Sequence, residues 1–122
     1  PEDVSAAQSL YFFDSDGTVV LGMNNIEDAK AKSAHDESND LDYWFVELTV
    51  DDEGRENMAD ATERMAEKPE GENFIAIMLD GELISTPSVS ERIDRNVFVI
   101  TGPNEEEAKT IAAMIRLAIS AE

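Results

Sequence analysis

Apolar residues recur along this chain with two periods, and the changes of period mark its elements. "YWFVELTV" (Tyr43 to Val50) alternates, with Trp44, Val46, Leu48 and Val50 on one side and Tyr43, Phe45, Glu47 and Thr49 on the other, the pattern of a strand. "FIAIMLD" is apolar at consecutive positions from Phe74 to Leu79, which predicts a central strand covered on both faces. Asp80-Gly81 turns it into "ELISTP", where Pro87 removes a ladder donor and predicts an edge or a bulge, and the end of pairing. "NVFVITG" (Asn96 to Gly102) reads as the last strand, and "LYFFDSDGTVVLG" (Leu10 to Gly22) as two short strands around Asp16-Gly17.

Two stretches switch to the helical period. In "DDEGRENMADATERMAEK", Asp51 is the cap, Asp52 and Glu53 favour the N-terminus, and Met58, Ala61, Thr62 and Met65 form the stripe. Gly54 is awkward there, costing about 1 kcal/mol inside a helix. In "PNEEEAKTIAAMIRLAIS", Asn104 and Glu107 have capping-box spacing, Glu105 sits four before Lys109, and Ala108, Ile111, Ala112, Ile115 and Ile119 make the stripe. "NNIEDAKAKSA" is expected as a third, short helix, capped by Asn25 with Asp28 near its positive start. "HDESNDLD" (His35 to Asp42) is expected as an acidic loop, and residues 1–9 as a flexible leader to a single domain over 10–122.

The order β-β-α, then β-α-β-β-β-α, predicts an α+β domain: a mainly antiparallel sheet with helices on one face, its second half a ferredoxin-like, split β-α-β arrangement. The helices would lay Met58/Met65 and Ile111/Ile115 on that face. The opposite face, with Tyr43 and Phe45, would need the N-terminal hairpin, a neighbouring segment or a partner to cover it.

Composition narrows the partners. A length of 122 residues fits one domain, and a net charge of -19 repels phosphate backbones and anionic headgroups, so nucleic acid is excluded as a partner. There is no cysteine for thiol chemistry or disulfides, and no apolar run approaches the roughly 20 residues of a membrane helix. The chain opens at Pro1, which leads us to expect a piece of a longer protein, its targeting segment or membrane anchor removed.

Candidate chemistry is thin. "DSDGT" starts like a calcium loop, but the glycine follows Asp16 directly and the twelfth residue from Asp14 is Asn25 in place of a glutamate; a hairpin turn fits better. His35 with Asp36, Glu37, Asp40 and Asp42 reads as a solvated loop in place of a selective metal site. The sole histidine lies in that loop, no G-x-S-x-G elbow occurs, and the nine basic residues form no phosphate cradle. The expectation is no enzyme and no cofactor.

"FIAIMLDGELISTPSV" resembles the signature of the extracytoplasmic domain of SecD, the membrane subunit that assists the Sec export channel: an apolar strand, L-D-G, an aliphatic, a small hydroxylated residue, proline and an aliphatic, here Leu79, Asp80, Gly81, Ile84, Ser85, Pro87 and Val89. "LTVDDEGRENMADATERM" is similar to the same family's strand followed by E-G and a threonine, here Glu53, Gly54 and Thr62. "VITGPNEEEAKTIAAMIR" is similar to its I-x-G, turn and E-E-A helix, here Ile100, Gly102, Glu106, Glu107 and Ala108. The family's glycine pair before the last strand is replaced by Arg95 and Asn96, and its closing L-P by "LAISAE".

The resemblance implies a non-enzymatic module outside the bacterial cell membrane, held by a membrane-anchored parent, meeting unfolded secretory polypeptide and the Sec translocon. It implies that the driving energy is proton flow through membrane helices that this chain does not contain. The motif residues Gly54, Thr62, Leu79, Asp80, Gly81, Ser85, Pro87, Val89, Gly102 and Ala108 are then turn and packing positions. Tyr43 and Phe45 on the open face, with Val89 beside the edge near Pro87, are the polypeptide-contact candidates. The alternative is a stand-alone secreted or lipid-anchored binding domain with a cell-envelope partner and no role in translocation.

Overall fold

A computed structural model describes residues 5–120. The strands are β1 (Leu10–Asp14), β2 (Val19–Gly22), β3 (Ile26–Asp36), β4 (Leu41–Val50), β5 (Ile75–Leu79), β6 (Glu82–Ser85) and β7 (Val97–Thr101); the helices are α1 (Asp52–Ala66) and α2 (Glu105–Ser120). Every strand pairing is antiparallel, and the α+β class holds.

The single sheet does not form. The strands divide into a four-stranded sheet, β2-β1-β5-β6, and a three-stranded one, β3-β4-β7. The ferredoxin-like second half is therefore replaced by strands shared between two sheets. The segment after β6 explains the division: it straps across α1, with Val89 buried and Ile93 packed on the core. The strap delivers the chain to β4, where the Val50 N–H donates to the Asn96 carbonyl and β7 pairs from Thr49↔Val97 onwards. The N-terminal hairpin, one candidate cover for an open face, instead pairs edge-on with β5 from Leu10↔Leu79 to Asp14↔Ile75. β5 is thus an inner strand, as its apolar run predicts.

A second correction concerns "NNIEDAKAKSA". After one 3-10 turn it is not a helix but β3, paired with β4 from Ile26↔Val50 to Asp36↔Leu41. Lys30, Lys32 and Ala34 fall on its outer side while Ala29 and Ala31 lie under α2, the small side chains letting the helix approach closely. Asn25 is no cap of that stretch. It is buried, its Oδ1 accepting from the Gly22 N–H and its Nδ2 donating to Asp51 and Glu53 at the start of α1. Asp28 sits at the bulge that opens β3, accepting from the Ala29 N–H. The acidic loop shrinks to residues 37–40 between the strands, and His35 bridges it, 2.7 Å from Asp42 and 3.1 Å from Asp40.

The two helices behave as their caps predict. Asp51 Oδ1 accepts from the Gly54 N–H at 2.8 Å, and the Asn104/Glu107 capping box closes reciprocally at 2.8 and 3.0 Å. They back different sheets: α2 packs on β3 and β4 through Ala108, Ala112 and Ile115, and α1 packs chiefly on β2, burying Met58, Ala61 and Met65.

Of the expected leader, residues 1–4 lie outside the described residues, but Ala7 to Ser9 are tied down. Ala7 is buried, its N–H donating to the Met114 carbonyl, and the Asp80 carboxylate accepts from the N–H groups of Gln8 and Ser9.

Candidate functional site

The L-D-G turn is a two-residue hairpin with both residues left-handed, Asp80 at φ 52° and Gly81 at φ 83°. Glycine suits the second position, and aspartate tolerates the first. Asp80 also holds the incoming chain through its carboxylate, so it pins Ser9 beside the end of β5 as well as reversing the strand. β6, which the turn launches, pairs among the described residues only with β5, and its other edge carries no partner strand among them. Leu83, at its centre, is 53% exposed.

Beside that edge runs a groove of about 1100 Å³. The β5–β6 hairpin forms one wall and the first half of α2 the other; Ile100, Gly102 and Pro103, where β7 exits to the helix, also line it. Gly102 makes that exit at φ 109°, a conformation that L side chains rarely adopt. β7 is likewise an edge, of the three-stranded sheet, so the groove is bordered by residues of two strands that each lack a neighbour on one side among the described residues. Its apolar contributors include Leu83, Ile84, Ile111 and Met114.

Four motif residues, Leu79, Asp80, Gly81 and Gly102, meet at this groove. Gly54, Thr62 and Val89 cluster elsewhere, around α1. An added Cβ at Gly54 would lie 3.1 Å from Asn25 Cβ and 3.2 Å from Val50 Cβ, which accounts for a glycine in the first turn. Thr62 is fully buried; its hydroxyl donates to the Met58 carbonyl at 2.7 Å and accepts from the Ile93 N–H at 2.8 Å, fastening the strap to the helix. Ala108 is buried on the face of α2 that packs on β3 and β4, and Ser85 closes β6 opposite Ile77. Pro87 ends β6 but not the contact with β5: its carbonyl accepts from the Ile75 N–H, and the Val89 N–H donates to Asn73. Proline lacks a donor but keeps its acceptor, so the ladder resumes beyond it.

Among the contact candidates, Val89 must be corrected. It is 3% exposed and packs in the core, so it presents nothing to a partner. Tyr43 and Phe45 lie together on the outer face of the three-stranded sheet, ring centroids 6.0 Å apart, with Tyr43 48% exposed. Val97 and Val99 of β7 extend that apolar face. The groove-lining Leu83, Thr110 and Met114 escaped the sequence reading; a leucine facing outwards on a proline-ended edge strand was the available signal.

One buried carboxylate is engaged in building the turn between β1 and β2. Asp14, with its side chain fully buried, accepts from the N–H groups of Asp16 and Thr18 and pairs with Arg64 at 3.1 Å. Burial pushes its carboxyl up, but the Thr18 N–H, the Arg64 guanidinium and the Asp16 N–H outweigh burial and hold it below its ordinary value. Among the described residues no group of three histidines or acids is arranged to hold a metal, and no helix is long and apolar enough to cross a membrane.

These features define a class of protein: a two-sheet α+β module that offers a groove and free strand edges, its turn residues serving packing. Comparison with known proteins makes the assignment specific. The family model for the SecDF P1 head subdomain matches residues 4–119. The chain is 33% identical over 108 residues to the protein translocase subunit SecD of Acidaminococcus fermentans, covering 88% of this chain and 24% of that protein. It is 32% identical over 98 residues to the protein translocase subunit SecDF of Brucella abortus, covering 80% of this chain and 12% of that one. A crystal structure of SecDF in its super-membrane-facing form superposes with a TM-score of 0.65 at 27% identity, over 83% of this chain and 12% of the other. A second structure, of a membrane component SecDF described as enhancing protein export, gives a TM-score of 0.64 at 27% identity, over 83% of this chain and 42% of the other. The chain belongs to the SecDF P1 head subdomain family, and it spans about an eighth to a quarter of the length of the curated relatives it matches.

Proposed function

We propose that this chain is the extracytoplasmic head of a SecD-type protein-export accessory, and that it holds a stretch of polypeptide leaving the Sec channel without acting on it chemically. The observation that carries the reading is the groove of about 1100 Å³ beside the free edge of β6. An emerging polypeptide has unpaired backbone groups and exposed apolar side chains. A strand edge satisfies the first and an apolar groove the second, the two requirements met together in β-strand addition. Membership of the SecDF family supports the export setting, and the parent's membrane-spanning part supplies the anchorage and the energy. Tyr43 and Phe45 offer a second surface, on the face away from α2, for the parent's other parts or for the same polypeptide.

The test is photo-crosslinking in membrane vesicles that carry the full-length parent and an arrested secretory chain. A crosslinker at Leu83 or Thr110 is expected to capture the secretory chain, and one at Glu56, on the exposed side of α1, is not. Capture at Glu56 with none at Leu83 or Thr110 overturns the groove, and capture at Tyr43 alone moves the contact to the outer sheet face.

A further inference from the structure

The groove is acidic as well as apolar, and this bears on what it selects. We infer that it prefers extended segments in which Lys or Arg alternates with apolar residues; the inference rests on the groove reading above and adds the charge of its ligand. Four of the residues lining the groove are acids, Asp80, Glu82, Glu106 and Glu107, and none is basic. Two of these are occupied, Asp80 by the N–H groups of Gln8 and Ser9, and Glu107 by the Asn104 N–H. Glu82 and Glu106 are exposed, one on each wall, and neither has a hydrogen-bond or ion-pair partner among the described residues. The nearby cation of α2, Lys109, pairs with Glu105 at 2.7 Å and lies over the Trp44 ring, outside the groove lining.

A cationic side chain entering the groove therefore meets two uncompensated carboxylates. Side chains of a strand added at β6 alternate in direction, so the set facing the groove can reach Glu82 and Glu106, its stems lying along Ile84 and Met114, while the other set packs on Leu83, which faces away from Glu82. The net charge of -19 attracts any cation at long range and speeds encounter, but only local acids select the bound register.

The test uses three peptides of about ten residues, the length a short strand and its flanks cover, sharing apolar positions and carrying Lys, Ser or Glu at the alternate ones. They are titrated into the 122-residue chain, with binding read from fluorescence and from the amide resonances of Ile84 and Thr110. The Lys peptide is expected to bind roughly tenfold tighter than the Ser peptide at low ionic strength, with the gap shrinking as salt is added. The double variant Glu82→Gln/Glu106→Gln narrows the gap to roughly twofold. A control pair outside the groove, Glu56→Gln/Glu70→Gln, has the same change of charge and keeps the gap. Equal binding of the Lys and Ser peptides, or a gap that survives Glu82→Gln/Glu106→Gln, overturns the charge preference while the groove stands. If no peptide shifts Ile84 or Thr110, the groove reading fails and takes this inference with it.

Discussion

Replacing Thr62 by valine keeps the shape of a fully buried side chain and removes only its hydroxyl. That hydroxyl donates to the Met58 carbonyl, and more weakly to the Ala59 carbonyl at 3.2 Å, and it accepts from the Ile93 N–H; the two roles are of unequal consequence. The Met58 carbonyl that it contacts lies within α1, whose backbone ladder still serves it, so this loss is minor. The Ile93 N–H has no such alternative; its bond to Thr62 at 2.8 Å is what holds the strap on the helix. An N–H left without its acceptor costs about 1–3 kcal/mol, and because Ile93 is half-buried we take the lower half, about 1.5 kcal/mol. With an unfolding entropy of roughly 2.1 cal/mol/K per residue, that is a fall in Tm of about 6 °C for a chain of this size. Thr62→Ser is the control: it keeps the hydroxyl and loses a methyl group, costing about 1 kcal/mol by cavity formation. The two variants are close in stability, so hydrogen exchange separates them. The Ile93 amide loses protection in Thr62→Val and keeps it in Thr62→Ser. Equal protection of that amide in both variants and the native chain would refute the anchor.

Two further outcomes follow from the same geometry. Because Asp14 is held below its ordinary 3.8, it stabilises the fold above about pH 4, and that contribution is lost as pH falls through the folded value; urea titrations from about pH 5 to 2 should show a steeper loss for the native chain than for Asp14→Asn, and parallel curves would show the carboxylate to be idle. Gly54→Ala gains about 1 kcal/mol of helix propensity but places a Cβ against two backbone-borne Cβ atoms at 3.1 and 3.2 Å, a crowding worth about 2 kcal/mol; a lower urea midpoint is expected, and a higher one would mean that Asn25 and Val50 yield freely.

How much of this was legible depended on whether a local signal agreed with its tertiary setting. Asn104 with Glu107, Asp51 ahead of Gly54, and Asp80-Gly81 between two apolar runs are satisfied within a few residues, and each forms as its spacing predicts. "AKAKSA" failed because its two messages conflict. Alanine and lysine favour helix, yet their strict alternation is a strand period, and in β3 that alternation puts Ala29 and Ala31 under α2 while Lys32 reaches Glu47 across the ladder at 3.0 Å. Tertiary pairing with β4 decided it, and no window of this stretch contains β4.

The same distinction explains why the groove was out of reach. Its residues are unremarkable one by one, and they converge only because β6 and β7 part company. In a single sheet the strand after β6 would return alongside it, the two edges would satisfy each other, and Leu83 would lie on a paired strand. The strap prevents this: Val89 and Ile93 draw it into the core over α1, Thr62 and Arg55 fasten it, and Asn96 hands the chain to β4. Asn96 both accepts from the Val50 N–H through its carbonyl and donates through Nδ2 to the Val50 carbonyl at 2.9 Å. The side chain thus extends the β4–β7 ladder by one rung, favouring the partner that leaves β6 open. The contacts that anchor the strap are therefore conditions for the groove, although none of Thr62, Ile93 and Asn96 lines it.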